Sequence, residues 1–447
     1  MAETYDLLIK GATLVNQSGE GLADIGVKDG RIVAIGALSA QNAGRTLEAT
    51  GLHVLPGVID TQVHFREPGL EHKEDLETGS RSAVLGGVTA VFEMPNTKPM
   101  TVSAEALAHK VERGRGRMYC DFAFFVGATR ENVEELPKLE KLPGAAGIKV
   151  FMGSSTGDLL VDDEETLSRI LTLIERRAAF HAEDEARLRE RDSLRREGDP
   201  ASHSEWRDPE AALAATAKLV RLATAAGKRV HVLHVSTAAE MQLLARHQDV
   251  ASVEVTPQHL TLATPDVYRR LGTKAQMNPP LRDAAHQNVL WWGLTQGVVD
   301  VLGSDHAPHS LEEKAQSYPA SPSGMPGVQT LVPIMLDHVS KGRLSLARFV
   351  DLTSAGPQRL FGIAGKGRIA VGYDADFTIV DLKAERTIED DWVGSKCGWT
   401  PFAGQTVTGW PVGTIVRGEI AMWEGELGKA AGEPVRFGEA LPRNPLA

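Results

Sequence analysis

The stretch Asp60-Thr61-Gln62-Val63-His64-Phe65-Arg66-Glu67-Pro68-Gly69 decides how this chain is read. It follows an apolar, β-rich run at 54–59 and closes on Pro-Gly, a turn signal. Side chains alternate faces along a strand, so Gln62, His64 and Arg66 point the same way at the strand's end. A histidine in that place is a ready metal ligand. Arg66 beside it adds a fixed cation, which suits a substrate that carries a carboxylate.

Other segments repeat the pattern. Candidate strands lie at 54–59, 90–94, 121–126, 147–151, 178–181, 229–234, 252–256 and 299–303. Helical patterns at 104–113, 165–177, 208–226, 238–246 and 286–296 fall between most of them. Eight strand–helix units favour a closed parallel barrel. An open doubly wound sheet would be the runner-up, but no Gly-rich phosphate loop supports it. His64, Lys149, His181, His234 and Asp305 each lie in or at the C-terminal end of a different strand. That is the face on which barrel enzymes build their sites. Singly, each has a bland reading: a core histidine, a snorkelling lysine, a helix-capping aspartate. Five of them at five strand ends read as one site.

The two ends of the chain are β-rich. Residues 7–15 are apolar, and 25–35 alternate around Asp29-Gly30, a hairpin signal. Residues 367–380 and 413–417 answer them with short strands. The expected architecture is therefore α/β: a TIM-like (β/α)8 barrel over 54–365, with a small β-sandwich-like domain built from 1–53 and 366–447. A length of 447 residues and 42% hydrophobic content allow a substantial core. A net charge of −11 argues against nucleic acid and anionic membranes as partners. No apolar run approaches a membrane span, and residues 1–10 carry no secretory signal pattern. Cys120 and Cys397 are far apart and read as reduced thiols of a cytoplasmic protein.

The chain resembles the dihydroorotases of the amidohydrolase superfamily, over nearly its whole length. The matching stretches are His64-Phe65-Arg66-Glu67-Pro68-Gly69, Met94-Pro95-Asn96-Thr97, Ile148-Lys149-Val150-Phe151, His181-Ala182-Glu183, His231-Val232-Leu233-His234-Val235-Ser236, Asn278-Pro279-Pro280-Leu281-Arg282 and Asp305-His306-Ala307-Pro308-His309. The resemblance implies two zinc ions bridged by a carbamate on Lys149. His64, Lys149 and Asp305 would hold one, and Lys149, His181 and His234 the other, with Asp305 also carrying the catalytic proton. Arg66, Asn96 and His309 would bind a substrate carboxylate. Asn278 and the loop 323–327 would meet the ring amide. The stretch 310–322 is either a mobile loop over the site or a plain surface loop. Gln62 stands where the family pattern D-x-H-x-H has a histidine ligand, so one or two zinc ions are expected. Gln258 likewise replaces a histidine common in relatives, though not a metal ligand. The resemblance implies hydrolysis of dihydroorotate. The alternatives are a hydantoinase, dihydropyrimidinase or allantoinase, or a non-catalytic homologue that assembles with aspartate transcarbamoylase. A homo-oligomer is expected.

Overall fold

The computed structural model describes residues 5–154 and 159–438. Eight parallel strands follow one another in sequence order: β1 (Val58–Val63), β2 (Val88–Glu93), β3 (Asp121–Gly127), β4 (Ala145–Phe151), β5 (Ala178–His181), β6 (Val230–Val232), β7 (Ala251–Val255) and β8 (Val301–Leu302). Every residue in them is buried. Parallel strands covered by helices have no solvent face, which is why they read as unbroken apolar runs.

The sheet closes on itself. Val63 bridges to His306 just past β8, and the His64 N–H donates to the His306 carbonyl at 2.7 Å. One residue row lower, the Asp60 carboxylate accepts from the Ser304 N–H at 2.9 Å. The result is the expected (β/α)8 barrel.

Helices cover the barrel near the expected places: Ala104–Gly114, Glu164–Leu173, Pro209–Ala226, Ala238–Leu244 and Ala284–Thr295. Each starts on a side chain that accepts a backbone N–H from the first turn: Ser103, Asp163, Asp208, Thr237 and Asp283. The second ends earlier than the periodicity implies. Ile174 turns extended and buries itself, leading the chain down to β5.

The expected strand 54–59 is two strands. His53–Pro56 pairs with the terminal strands, and the barrel begins at Val58. Gly57 is the joint. Its N–H donates to the Asp376 carbonyl at 2.9 Å, and a Cβ there would run into the Thr89 side chain. Periodicity cannot mark such a joint, because both halves are apolar and extended.

The ends of the chain form one nine-stranded sheet. His53–Pro56 is its seam, parallel to Tyr5–Asn16 on one side and antiparallel to Phe377–Thr387 on the other. The Asp29-Gly30 hairpin joins Gly19–Lys28 to Arg31–Gly36, with both turn residues at positive φ (49° and 72°). Leu7, Ile9, Ile25, Val54, Phe377 and Ile415 belong to the apolar core of this sheet.

A buried cation fastens this sheet to the barrel. Lys366 Nζ lies 2.6 Å from Asp121, at the start of β3, and 2.5 Å from Asp376, which precedes Phe377–Thr387. Asp374 is 3.5 Å away. Removing the ammonium would leave buried carboxylates facing one another. Lys366→Met should lower unfolding stability by about 3–5 kcal/mol in urea titrations. A loss below about 1 kcal/mol would show that the cluster does not join the two parts.

Candidate active site

The barrel places the sequence-derived residues at one end. Lys149 is inside β4, His181 ends β5, His64 follows β1 directly, and His234 and Asp305 lie just beyond β6 and β8. Gln62, His64, Lys149, His181, His234 and Asp305 line one small cleft, with Asn278, Ser323 and Gly324 on its rim. Arg66, Asn96 and His309 do not line it; they form the next layer.

The hydrogen bonds assign the ring tautomers. His64 Nδ1 is 2.7 Å from Asn96 Oδ1, an acceptor, so Nδ1 carries the proton. Its Nε2 is then bare and faces Asp305 Oδ1 at 3.2 Å. His181 Nε2 donates to Glu183 at 2.8 Å, which turns a bare Nδ1 toward His234 Nε2 at 3.0 Å. Burial holds all three imidazoles below the ordinary histidine range, so they are neutral. A bare ring nitrogen facing a carboxylate oxygen is repulsive unless a cation lies between them.

Lys149 is fully buried and its Nζ has no hydrogen-bond partner among the described residues. Burial lowers its pKa to about 7, against the pull of Asp305 and Glu254. Much of it is therefore a neutral, nucleophilic amine near physiological pH. Gln62 donates to Asp305 Oδ1 at 3.0 Å, and its own Oε1 is buried and unpartnered among the described residues.

Among the described residues, no three His, Cys, Asp or Glu side chains converge to hold a metal by themselves. Two half-sites, His64–Asp305 and His181–His234, stand around Lys149 instead. An anionic group on Lys149 would complete both. The donor chemistry thus fits metal ions, provided the lysine contributes.

Backbone strain concentrates here. Arg66, His234 and Asp305 have φ of 66°, 37° and 45°, and the described residues hold only three other non-glycine residues at positive φ. Such conformations cost roughly 1–3 kcal/mol each and persist where the surroundings over-determine them. Gly324 has φ of 142°; a Cβ there would strike the Ala307 carbonyl and come within 2.9 Å of the His309 ring.

Arg66 is buried. Its Nε donates to the Pro308 carbonyl at 3.2 Å, and Nη2 lies 3.3 Å from His309 Nε2. It is not paired with its neighbour Glu67, which binds Arg113 and Arg117. No carboxylate among the described residues lies within ion-pair distance of Arg66. His309 donates from Nε2 to the Ser323 carbonyl at 2.9 Å and accepts from Lys73 at 3.1 Å.

Several supporting residues escaped sequence reasoning. Glu183 orients His181 and is itself gripped by Arg207; burial would raise its pKa, but Arg207 and His181 bring it down to about 2. The His181-x-Glu183 alternation at a strand end was a signal for it. Glu254 lies beneath the cleft, accepting from the His234 N–H and from Thr61, with burial raising its pKa to about 8. Lys73, Arg207 and His203, whose Nε2 lies 2.9 Å from Asn278 Oδ1, stand in segments that connect strands to the covering helices, where no periodicity marks them. The stretch 310–322 is neither bare loop nor plain surface. It holds the helix Leu311–Lys314, with a capping box on Ser310, and the buried Lys314 donates to the Pro322 carbonyl at 2.8 Å.

Comparison with known proteins gives the family. The family model described as "Amidohydrolase family" matches residues 53–421. The chain belongs to the amidohydrolase family. Among curated amidohydrolases, a dihydroorotase of Methanosarcina mazei is 37% identical, covering 96% of both chains. An L-hydantoinase of Paenarthrobacter aurescens is 34% identical, covering 95% of this chain and 96% of its own. Among solved amidohydrolase structures, an L-hydantoinase (dihydropyrimidinase) from Arthrobacter aurescens superimposes with a TM-score of 0.92. It shares 33% identity, over 97% of this chain and all of that one. The relatives' names thus divide between dihydroorotase and hydantoinase.

Proposed function

We propose that this cyclic amide hydrolase is a zinc-dependent dihydroorotase, which reversibly hydrolyses dihydroorotate to N-carbamoyl-L-aspartate in pyrimidine synthesis. The observation that carries the reading is Arg66: a buried guanidinium beside the cleft with no protein carboxylate to pair it. A charge in that position calls for an anionic partner, and dihydroorotate brings a carboxylate. The rings of hydantoin and dihydropyrimidine are uncharged and would leave it unpaired. The hydantoinase reading is the second one, because of the structural likeness just described.

In this reading His64, Asp305 and a carbamate on Lys149 would hold one zinc ion, and the carbamate, His181 and His234 would hold the other. The carbamate forms when the neutral Lys149 amine attacks CO2 and loses a proton, giving one negative charge shared by two oxygens. When bound, zinc supplies Lewis acidity and lowers the pKa of water at the cleft. Asn96 and Glu183 fix the tautomers of His64 and His181, so that bare nitrogens face inward. Arg66, with Asn96 and His309, orients the substrate through its carboxylate. Asn278 and the backbone at 323–327 hold the ring amide. Asp305 takes a proton from the attacking water and delivers it to the departing ring nitrogen as the ring C–N bond breaks. Gln62 would leave the first zinc position one imidazole short, so an ion there would be the more weakly held.

Arg66→Met should cost about 2–4 kcal/mol in kcat/KM for dihydroorotate, by loss of a buried charge-assisted contact. A wild-type preference for hydantoin or dihydrouracil over dihydroorotate would sink the substrate assignment. Lys149→Ala should lose zinc and activity together, with short carboxylic acids restoring part of both. Full zinc content in that variant, measured by elemental analysis, would rule out a bridging role. Zinc titration should show one ion held more weakly in the wild type and tightened in Gln62→His. Two equally tight ions in the wild type would contradict the weak-site assignment.

A further inference from the structure

The opposite end of the barrel carries a second concave surface that the reaction does not use. It lies at the N-terminal ends of β4 to β6, where Arg176 and Arg177 precede β5 and Lys228 and Arg229 precede β6. Arg359 and the Phe361 ring complete it, and the cavity measures about 430 Å³. Five cations thus meet one acid, Glu175, on a chain whose net charge is −11. The cluster is not the by-product of a generally basic surface.

Three of the five cations are accounted for by the fold. Lys228 donates to the Ile174 carbonyl at 2.5 Å, at a helix C-terminus where a cation is favoured. Arg176 donates to the Ala145 carbonyl at 3.1 Å and packs over Phe437. Arg359 pairs with Asp351 at 2.7 Å. Glu175, the one acid, is taken up by Lys141 at 2.6 Å.

Arg177 and Arg229 are left over. Neither makes a hydrogen bond or ion pair among the described residues. Arg177 is partly buried, and both burial and the charge of Arg229 lower its pKa to about 10. The carboxylate that opposes this, Asp300, is itself half-buried and accepts from the Val253 N–H at 2.8 Å. Two like charges held together at the mouth of a cavity destabilise the fold unless an anion sits between them. Paired guanidinium forks match a tetrahedral dianion better than a monovalent carboxylate. The cavity is of small-ligand size and has an apolar floor at Leu360 and Phe361, which leaves room for more than a bare ion.

We propose that this basal pocket binds the phosphoryl group of a small phosphate ester, clamped between Arg177 and Arg229, at a site separate from the catalytic cleft. The test is calorimetric titration of ribose 5-phosphate into the zinc-loaded protein at constant ionic strength, for wild type and for Arg177→Gln/Arg229→Gln. The wild type should show one saturable site, weakened at least ten-fold in the double variant. In chloride buffer without ligand, the double variant should melt no lower than the wild type and hydrolyse substrate at the same rate. Should the double variant fail to fold, Arg229→Gln alone, at an exposed position, carries the same comparison. Equal affinity in wild type and variant would place the phosphate elsewhere and overturn the proposal. Absence of saturation in the wild type would overturn it too, and would leave an acidic protein surface as the partner for this patch.

Discussion

Closure of the barrel between its first and last strands is the constraint on which the site depends. His64 and Asp305 are far apart in sequence and meet only because Val63 pairs with His306 and Asp60 receives the Ser304 N–H. Asp60 is fully buried, and its pKa is raised to about 7 by that burial, against the hydrogen bonds from Ser304 and Gln62. The seam thus contains a carboxyl that binds both edges. Without it, the two halves of the cleft would have no common frame.

Desolvation does most of the tuning inside that frame. The same burial that keeps three imidazoles neutral brings the Lys149 amine near neutrality and makes Glu254 hard to ionise. Glu183 is the exception, because Arg207 lies against it. The cleft is therefore built from neutral imidazoles and a largely neutral amine around the Asp305 carboxylate, with the firmly anionic Glu183 behind His181. Such a set accepts cationic partners without first having to shed protons.

The site was legible in the sequence to the extent that its residues interrupt apolar strands. A histidine, lysine or aspartate in a continuous β run is conspicuous, and strand order in a barrel puts the C-terminal ends together. That logic brought Gln62, His64, Lys149, His181, His234 and Asp305 to one cleft. It could not see the second layer, where Lys73, His203 and Arg207 come from connecting segments whose positions depend on tertiary packing. It also missed the break at Gly57, because a strand that changes sheets keeps its hydrophobicity. The role of Asn96 was legible only as a likeness; its contact with His64 Nδ1 needed coordinates.

That break has a mechanical consequence. His53–Pro56 and β1 are separated by a single residue, so the terminal sheet and the barrel share one chain with no loop between them. Gly57 sits close to the Thr89 side chain and donates to the Asp376 carbonyl, which holds the joint in place. The position of His64, seven residues on, is therefore referred to the outer sheet as well as to the barrel. The chain's two ends act as an anchor for the first histidine of the cleft.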